Sequence, residues 1–153
     1  MLTLDEFLKS VESKAYRFAL LAVKNEADAL DIVQDSMIKL ATRYGRLAES
    51  GEQEQWRPLF FKILQNSIMD FHRKESRIKR WFVRQQQDSN EGQGIDVINK
   101  PSQNIEYSPE QYLHQQQLGE QAMKAIASLP IKQQQCFLLR CWEGFSVKET
   151  AEM

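Results

Sequence analysis

Residues 56–84 read WRPLFFKILQNSIMDFHRKESRIKRWFVR, and this stretch decides the fold. Its first half is apolar: Trp56, Leu59, Phe60, Phe61, Ile63, Leu64, Ile68, Met69 and Phe71. Its second half is basic: Arg73, Lys74, Arg77, Lys79, Arg80 and Arg84 stand against Glu75 alone. Apolar residues at 60, 64, 68 and 71 keep the three-to-four spacing of a helical stripe. Pro58 suits a first helical turn, where its missing N–H leaves no bond unmade. One helix is therefore predicted, beginning in a packed body and ending as a positive rod. A rod of that charge density attracts phosphate, and its binding weakens with salt. Aromatic residues beside it suit stacking on unpaired bases. The same pattern also fits a core helix with a solvated, charged end.

Composition sharpens the choice. The chain has 153 residues, 42% of them hydrophobic, which is enough to bury a core. Its formal net charge is -1, from 20 Lys plus Arg and 21 Asp plus Glu. A protein that simply coats nucleic acid would be more basic. Here the charge is segregated into a basic block with acidic flanks, as suits one polyanionic surface and separate partners. Cys136 and Cys141, five apart on a predicted helix, point to different sides of it. Neither a disulfide nor a metal clip is expected, and buried thiols in a reducing compartment are. MLTLDEFLKS lacks the basic and apolar regions of a signal peptide. No stretch approaches the ~20 apolar residues of a membrane helix, so a cytoplasmic location is expected.

Working outward, Thr3 with Glu6 fits a capping box ahead of a first helix running to about Lys24. Asn25 opens a second helix, about 26–44, carrying Leu30, Val33, Met37, Leu40, Ala41 and Tyr44. Its other face holds Asp28, Asp31, Gln34, Asp35 and Lys39. So short a turn predicts antiparallel packing of the two helices. Residues 45–55, GRLAESGEQEQ, are polar with two glycines and read as a loop. Residues 85–107 carry four acids, one base and many polar residues, as a linker does. Ser108-Pro109 opens a further helix with a stripe at Leu118, Ala122, Ile126 and Leu129. Pro130 ends it and begins another, 131 to about 142, stopped by Gly144. Ser146 with Glu149 caps a last helix. The expected fold class is all-α, in two pieces.

No catalytic constellation accompanies these helices. Phosphate-cradling glycine loops and H-E-x-x-H are absent. His72 and His114 each stand alone, as surface or packing residues do. Asp28, Asp31 and Asp35 share a helix face, but no second helix offers matching ligands, so a protein-binding surface is a better use of them than a metal. No cofactor, metal or enzymatic activity is expected.

Three stretches resemble the extracytoplasmic-function type of bacterial sigma factor, of the sigma-70 family. ADALDIVQDSMIKL (27–40) resembles the core-binding helix of the first sigma domain. WRPLFFKILQNSIMDFHRKESR (56–77) resembles the helix that melts and reads the minus-ten promoter element. LPIKQQQCFLLRCWEGFSVKETAEM (129–153) resembles the start of the second domain. The resemblance implies a sigma region 2 domain over 1–84, a linker over 85–107, and a partial region 4 over 108–153 whose helix-turn-helix is incomplete at Met153.

It also implies roles by position. Asp31, Gln34 and Asp35 would face the coiled coil of the largest subunit of core RNA polymerase, an acidic face meeting a basic one. Trp56, Lys62, Asn66, Arg73, Lys74, Arg77, Lys79 and Arg80 would contact promoter DNA. Asn66 would read a base edge, Lys62, Arg73, Lys74 and Arg77 would hold phosphates of the non-template strand, and Trp56 would stack or pack. The loop at 45–55 would hold a flipped-out base. The expected function is transcription initiation: binding core polymerase and directing recognition and melting at the minus-ten element. An anti-sigma factor commonly partners the family. The alternative is a helical adaptor whose basic run meets an acidic protein without DNA.

Overall fold

Thr3 starts the first helix as its sequence predicts. Its hydroxyl accepts the Glu6 N–H at 3.2 Å, and the Glu6 carboxylate accepts the Thr3 N–H at 2.8 Å. This reciprocal cap opens α1 (Leu4–Val23) in the computed structural model, which describes residues 2–48, 53–84 and 109–153. Lys24 ends α1 in the left-handed region, φ 56°, and its N–H closes on Leu20 O. Asn25 then accepts the Asp28 N–H at 3.0 Å and opens α2 (Glu26–Tyr44). Two short 3-10 turns, Gly45–Ala48 and Gln53–Gln55, lie in the predicted loop. Residues 49–52 of that loop, and the linker at 85–107, lie outside the described residues.

α3 (Trp56–Val83) is the helix foreseen from the opening stretch. Its first half buries Trp56, Phe60, Phe61, Leu64 and Ile68 against α1 and α2. From Arg73 onward its side chains are exposed apart from a half-buried Glu75. The helix thus grows out of the core and continues in solvent, because its apolar stripe ends where its charge begins.

The C-terminal helices are α4 (Pro109–Ser128), α5 (Ile131–Cys141) and α6 (Val147–Glu152). Among the described residues there is no strand, and the fold is all-α. Of the stripe expected on α4, Ile126 is buried whereas Leu118, Ala122 and Leu129 are exposed. Among the described side chains of α4, those of its last turns join the core, through Met123, Ile126 and Ala127. α5 turns Gln134, Gln135, Leu138 and Leu139 inward. Cys136 and Cys141 lie off that face and are both exposed, which corrects the expectation of buried thiols. Gly144 ends this turn at φ 69°, a backbone region that costs other residues more. Ser146 accepts the Glu149 N–H at 3.1 Å to begin α6.

A run of aromatic rings links the two ends of the chain. Trp56 meets Phe7 with centroids 5.8 Å apart, and Phe60 meets Phe61 at 5.5 Å. Phe61 touches Phe18 at 5.3 Å and Phe145 at 5.4 Å. Phe145 thereby enters the same buried cluster as α1 and α3. Tilted and edge-on pairs of this kind add about 0.5–1.5 kcal/mol each beyond the area they bury. No helix among the described residues is long and apolar enough to cross a membrane.

Candidate nucleic-acid interface

Asn66, Asp70, Arg73, Arg77 and Arg80 follow one another at three- and four-residue steps, so α3 carries them as one stripe. That stripe walls an open cleft of about 1170 Å³. α5 also lines it, with Ile131, Lys132, Gln135 and Cys136. Lys39 and Arg43 reach in from α2. Among the described residues, six cationic side chains and one acidic side chain line the space, so it is a positive groove open to water. Asp70, the acid, bonds Arg73 at 3.0 Å with both side chains mostly exposed. An exposed pair of this kind is weak and leaves Arg73 able to exchange Asp70 for a phosphate.

The structure brings four of the eight predicted DNA-contacting residues into this cleft: Asn66, Arg73, Arg77 and Arg80. Lys62 and Lys74 are exposed on other faces of α3. Lys79 borders a second, shallower concavity with Arg77, Arg80, Trp81, Val83 and Arg84. Trp56 is corrected from a stacking candidate to a core residue. It is 0% exposed, and its indole N–H donates to Tyr44 O at 3.0 Å. A ring anchored at its only polar atom and covered on its faces cannot take a base without opening the core.

Lys39, Arg43 and Lys132 were missed by sequence reasoning. Their charge was visible, but only the packing of α2 and α5 beside α3 assembles them into one groove. His72, expected as a surface or packing residue, is half-buried and bonds Ala22 O at 2.8 Å, so it ties α3 to α1.

α2 presents a second surface. Asp31, Gln34 and Asp35 are exposed, opposite the buried Ile32, Val33, Ser36 and Leu40. Leu30 and Ile38 are exposed beside them. Asp35 pairs with Lys39 at 2.7 Å, and Lys39 lines the cleft, so the acidic face and the positive groove adjoin on one helix. Among the described residues, no group of three or more His, Cys, Asp or Glu side chains is placed to hold a metal.

The α5 side of the cleft is fixed by polar contacts. Gln65 on α3 donates to Gln135 at 2.7 Å, Gln135 donates to Gln134 at 3.1 Å, and Gln134 donates to Leu21 O at 3.2 Å. Glu143, whose side chain is 2% exposed, pairs with Arg57 at 3.0 Å and has Lys14 at 3.9 Å. The Arg57 guanidinium also bonds Glu143 O and lies 4.2 Å above the Phe145 ring. Buried amides and a buried carboxylate accept few geometries, so these contacts hold α5 in one orientation.

Residues 119–153 match the family described as Sigma-70, region 4. RNA polymerase sigma factor SigV of Bacillus subtilis (strain 168) is 28% identical over 138 residues, which span 90% of this chain and 69% of that protein. ECF RNA polymerase sigma factor SigE of Mycolicibacterium smegmatis is 27% identical over 145 residues. That match spans 95% of this chain and half the length of SigE. No solved structure matches the chain.

Proposed function

The region 4 segment and the likeness to SigV and SigE support an extracytoplasmic-function sigma factor of the sigma-70 family, and on that premise we propose that the α3 cleft captures the non-template strand at the minus-ten element. The observation that carries this is the cleft itself. Asn66 shares its lining with Arg73, Arg77 and Arg80 of the same helix and with Lys39, Arg43 and Lys132 of α2 and α5. An amide beside a line of cations suits a strand whose base edges are free and whose phosphates must be held.

Mechanism follows from differential binding. The protein makes no covalent change. A groove that holds an unpaired strand better than a duplex shifts the melting equilibrium toward the open form. Arg73, Arg77 and Arg80 supply the phosphate contacts, and Asn66 supplies a donor and an acceptor for one base edge. Lys62, Lys74 and Lys79 add positive field from neighbouring faces. Asp31, Gln34 and Asp35 dock the coiled coil of the largest polymerase subunit, with Leu30 and Ile38 adding apolar contact. An anti-sigma factor would act by covering that acidic face.

The test uses the full chain, core polymerase, and a promoter fragment with an unpaired minus-ten segment. Binding should be tighter to the unpaired fragment than to its duplex form. Replacing Arg73 and Arg77 with Ala should remove that preference. Equal affinity for both fragments, in a chain that still binds polymerase, would sink strand capture. Failure of the folded chain to bind polymerase would favour the adaptor alternative.

A further inference from the structure

The end of α3 is built differently from the rest of the helix. Residues 77–84, RIKRWFVR, carry four cations and no acid. Their apolar side chains do not enter the core: Trp81 is 60% exposed and Phe82 51%, with Ile78 and Val83 exposed beside them. The Trp81 and Phe82 rings meet nearly at right angles, 82°, with centroids 5.3 Å apart. Trp81 lies four residues after Arg77, so their side chains are neighbours on the helix surface. Both border a shallow concavity of about 570 Å³, shared with Lys79, Arg80, Val83 and Arg84. Arg77 and Arg80 line this concavity and the main cleft alike. The aromatic end therefore continues the arginine wall.

We propose that Trp81 is a stacking platform for an unpaired base of single-stranded DNA, whose phosphates are held by Arg77, Arg80 and Arg84. This rests on the strand-capture function proposed above and extends it past the cleft. Charge selects the occupant. Four cations within eight residues, with no carboxylate among them, match a polyanion. A base attached to that polyanion offers a flat apolar face to an exposed indole. Phe82 lies edge-on to Trp81 and leaves the indole exposed. Asn66 and Trp81 are fifteen residues apart, about 22 Å along the helix at ~1.5 Å per residue. One strand following the stripe would meet the base-reading amide first and the stacking ring last.

The experiment titrates the chain of residues 1–153 with a labelled single-stranded oligonucleotide over a range of salt. Variants are Trp81→Ala, Trp81→Phe and, for comparison, Arg77→Ala. Trp81→Ala should weaken binding roughly 5- to 100-fold at every salt concentration while leaving the salt slope unchanged, because stacking releases no counterions. Trp81→Phe should keep most of the affinity. Arg77→Ala should flatten the slope. Thermal melting should be unchanged in Trp81→Ala, since the ring is exposed.

Wild-type affinity in Trp81→Ala, alongside a weakened Arg77→Ala, would overturn the platform and leave strand capture standing. No binding of any single strand by the wild-type chain would overturn both. Binding of vesicles rich in anionic lipid that disappears in Trp81→Ala, with oligonucleotide affinity intact, would assign the ring to a membrane surface and also overturn the platform.

Discussion

Gln65 on α3 and Gln135 on α5 share a hydrogen bond of 2.7 Å between positions 70 residues apart in sequence. Both side chains are buried. The bond sets α5 against α3 and so determines the width of the groove that Asn66 and the arginines line. Replacing Gln135 with Ala leaves the Gln65 amide and the Gln134 carbonyl without this partner. A buried polar group left unpaired costs about 1–3 kcal/mol. Hydrogen exchange in α5 should accelerate accordingly, while exchange in α2 stays slow.

Arg57 and Glu143 should respond unequally to substitution. Glu143 is buried, whereas the Arg57 side chain is 42% exposed. Arg57→Ala leaves the buried carboxylate with Lys14 at 3.9 Å and removes the cation over Phe145, for a loss of about 3 kcal/mol. Glu143→Ala leaves an arginine that water can still reach, and should cost nearer ~1 kcal/mol. The double variant should be less destabilised than the two losses added, because they share one interaction. Chemical denaturation of the four proteins measures this, and equal single losses would contradict the burial difference.

Binding to single-stranded DNA should depend on salt through the arginine stripe. Each phosphate contact removed from a single strand lowers the slope of log affinity against log salt by about 0.7. The triple replacement of Arg73, Arg77 and Arg80 by Ala should lower it by roughly 2. Lys132→Ala should lower it by a similar single step, if α5 keeps its place along the cleft. A triple variant with an unchanged slope would remove this surface from the DNA interface.

The α2 face should separate polymerase binding from folding. Asp31 and Asp35 are exposed, so Asp31→Ala with Asp35→Ala should change stability by less than about 0.5 kcal/mol per site. Affinity for core polymerase should fall, and affinity for an oligonucleotide should hold or rise slightly as negative charge leaves the edge of the groove. Unchanged polymerase affinity in a pull-down would move the contact elsewhere.

Ser67 has a hydroxyl oxygen that is buried with no hydrogen-bond partner among the described residues. It sits in α3 between Asn66 and Ile68. Ser67→Ala removes an unsatisfied group and places a better helix former there, so it should stabilise the chain by about 0.5–1 kcal/mol. A lower melting temperature would mean that the hydroxyl is in use.

Much of this arrangement was legible in the residues. The caps at Thr3, Asn25 and Ser146 are short-range, and each forms as its sequence implies. α3 was readable because a helical stripe and a charge run in series leave little choice of conformation. Trp56 was not. A tryptophan beside a basic run looks alike in sequence whether it faces bases or core, and only α1 and α2 closing over it decide that it is buried. The cysteines failed for the same reason. α5 carries apolar residues on more than one side, and the sequence does not say which side meets α1.

Local chemistry alone determined the six α-helices of the described residues, their approximate limits, the acidic face of α2 and the positive end of α3, because capping, helical periodicity and charge act within a few residues. Tertiary structure decided which of those charges face one another. Lys39, Arg43 and Lys132 join the Asn66–Arg80 stripe only when α2 and α5 settle beside α3. What settles α5 is a set of buried partners far apart in sequence, Gln65 with Gln135 and Arg57 with Glu143. Such pairs are energetically costly to leave unmade, yet no local pattern announces them.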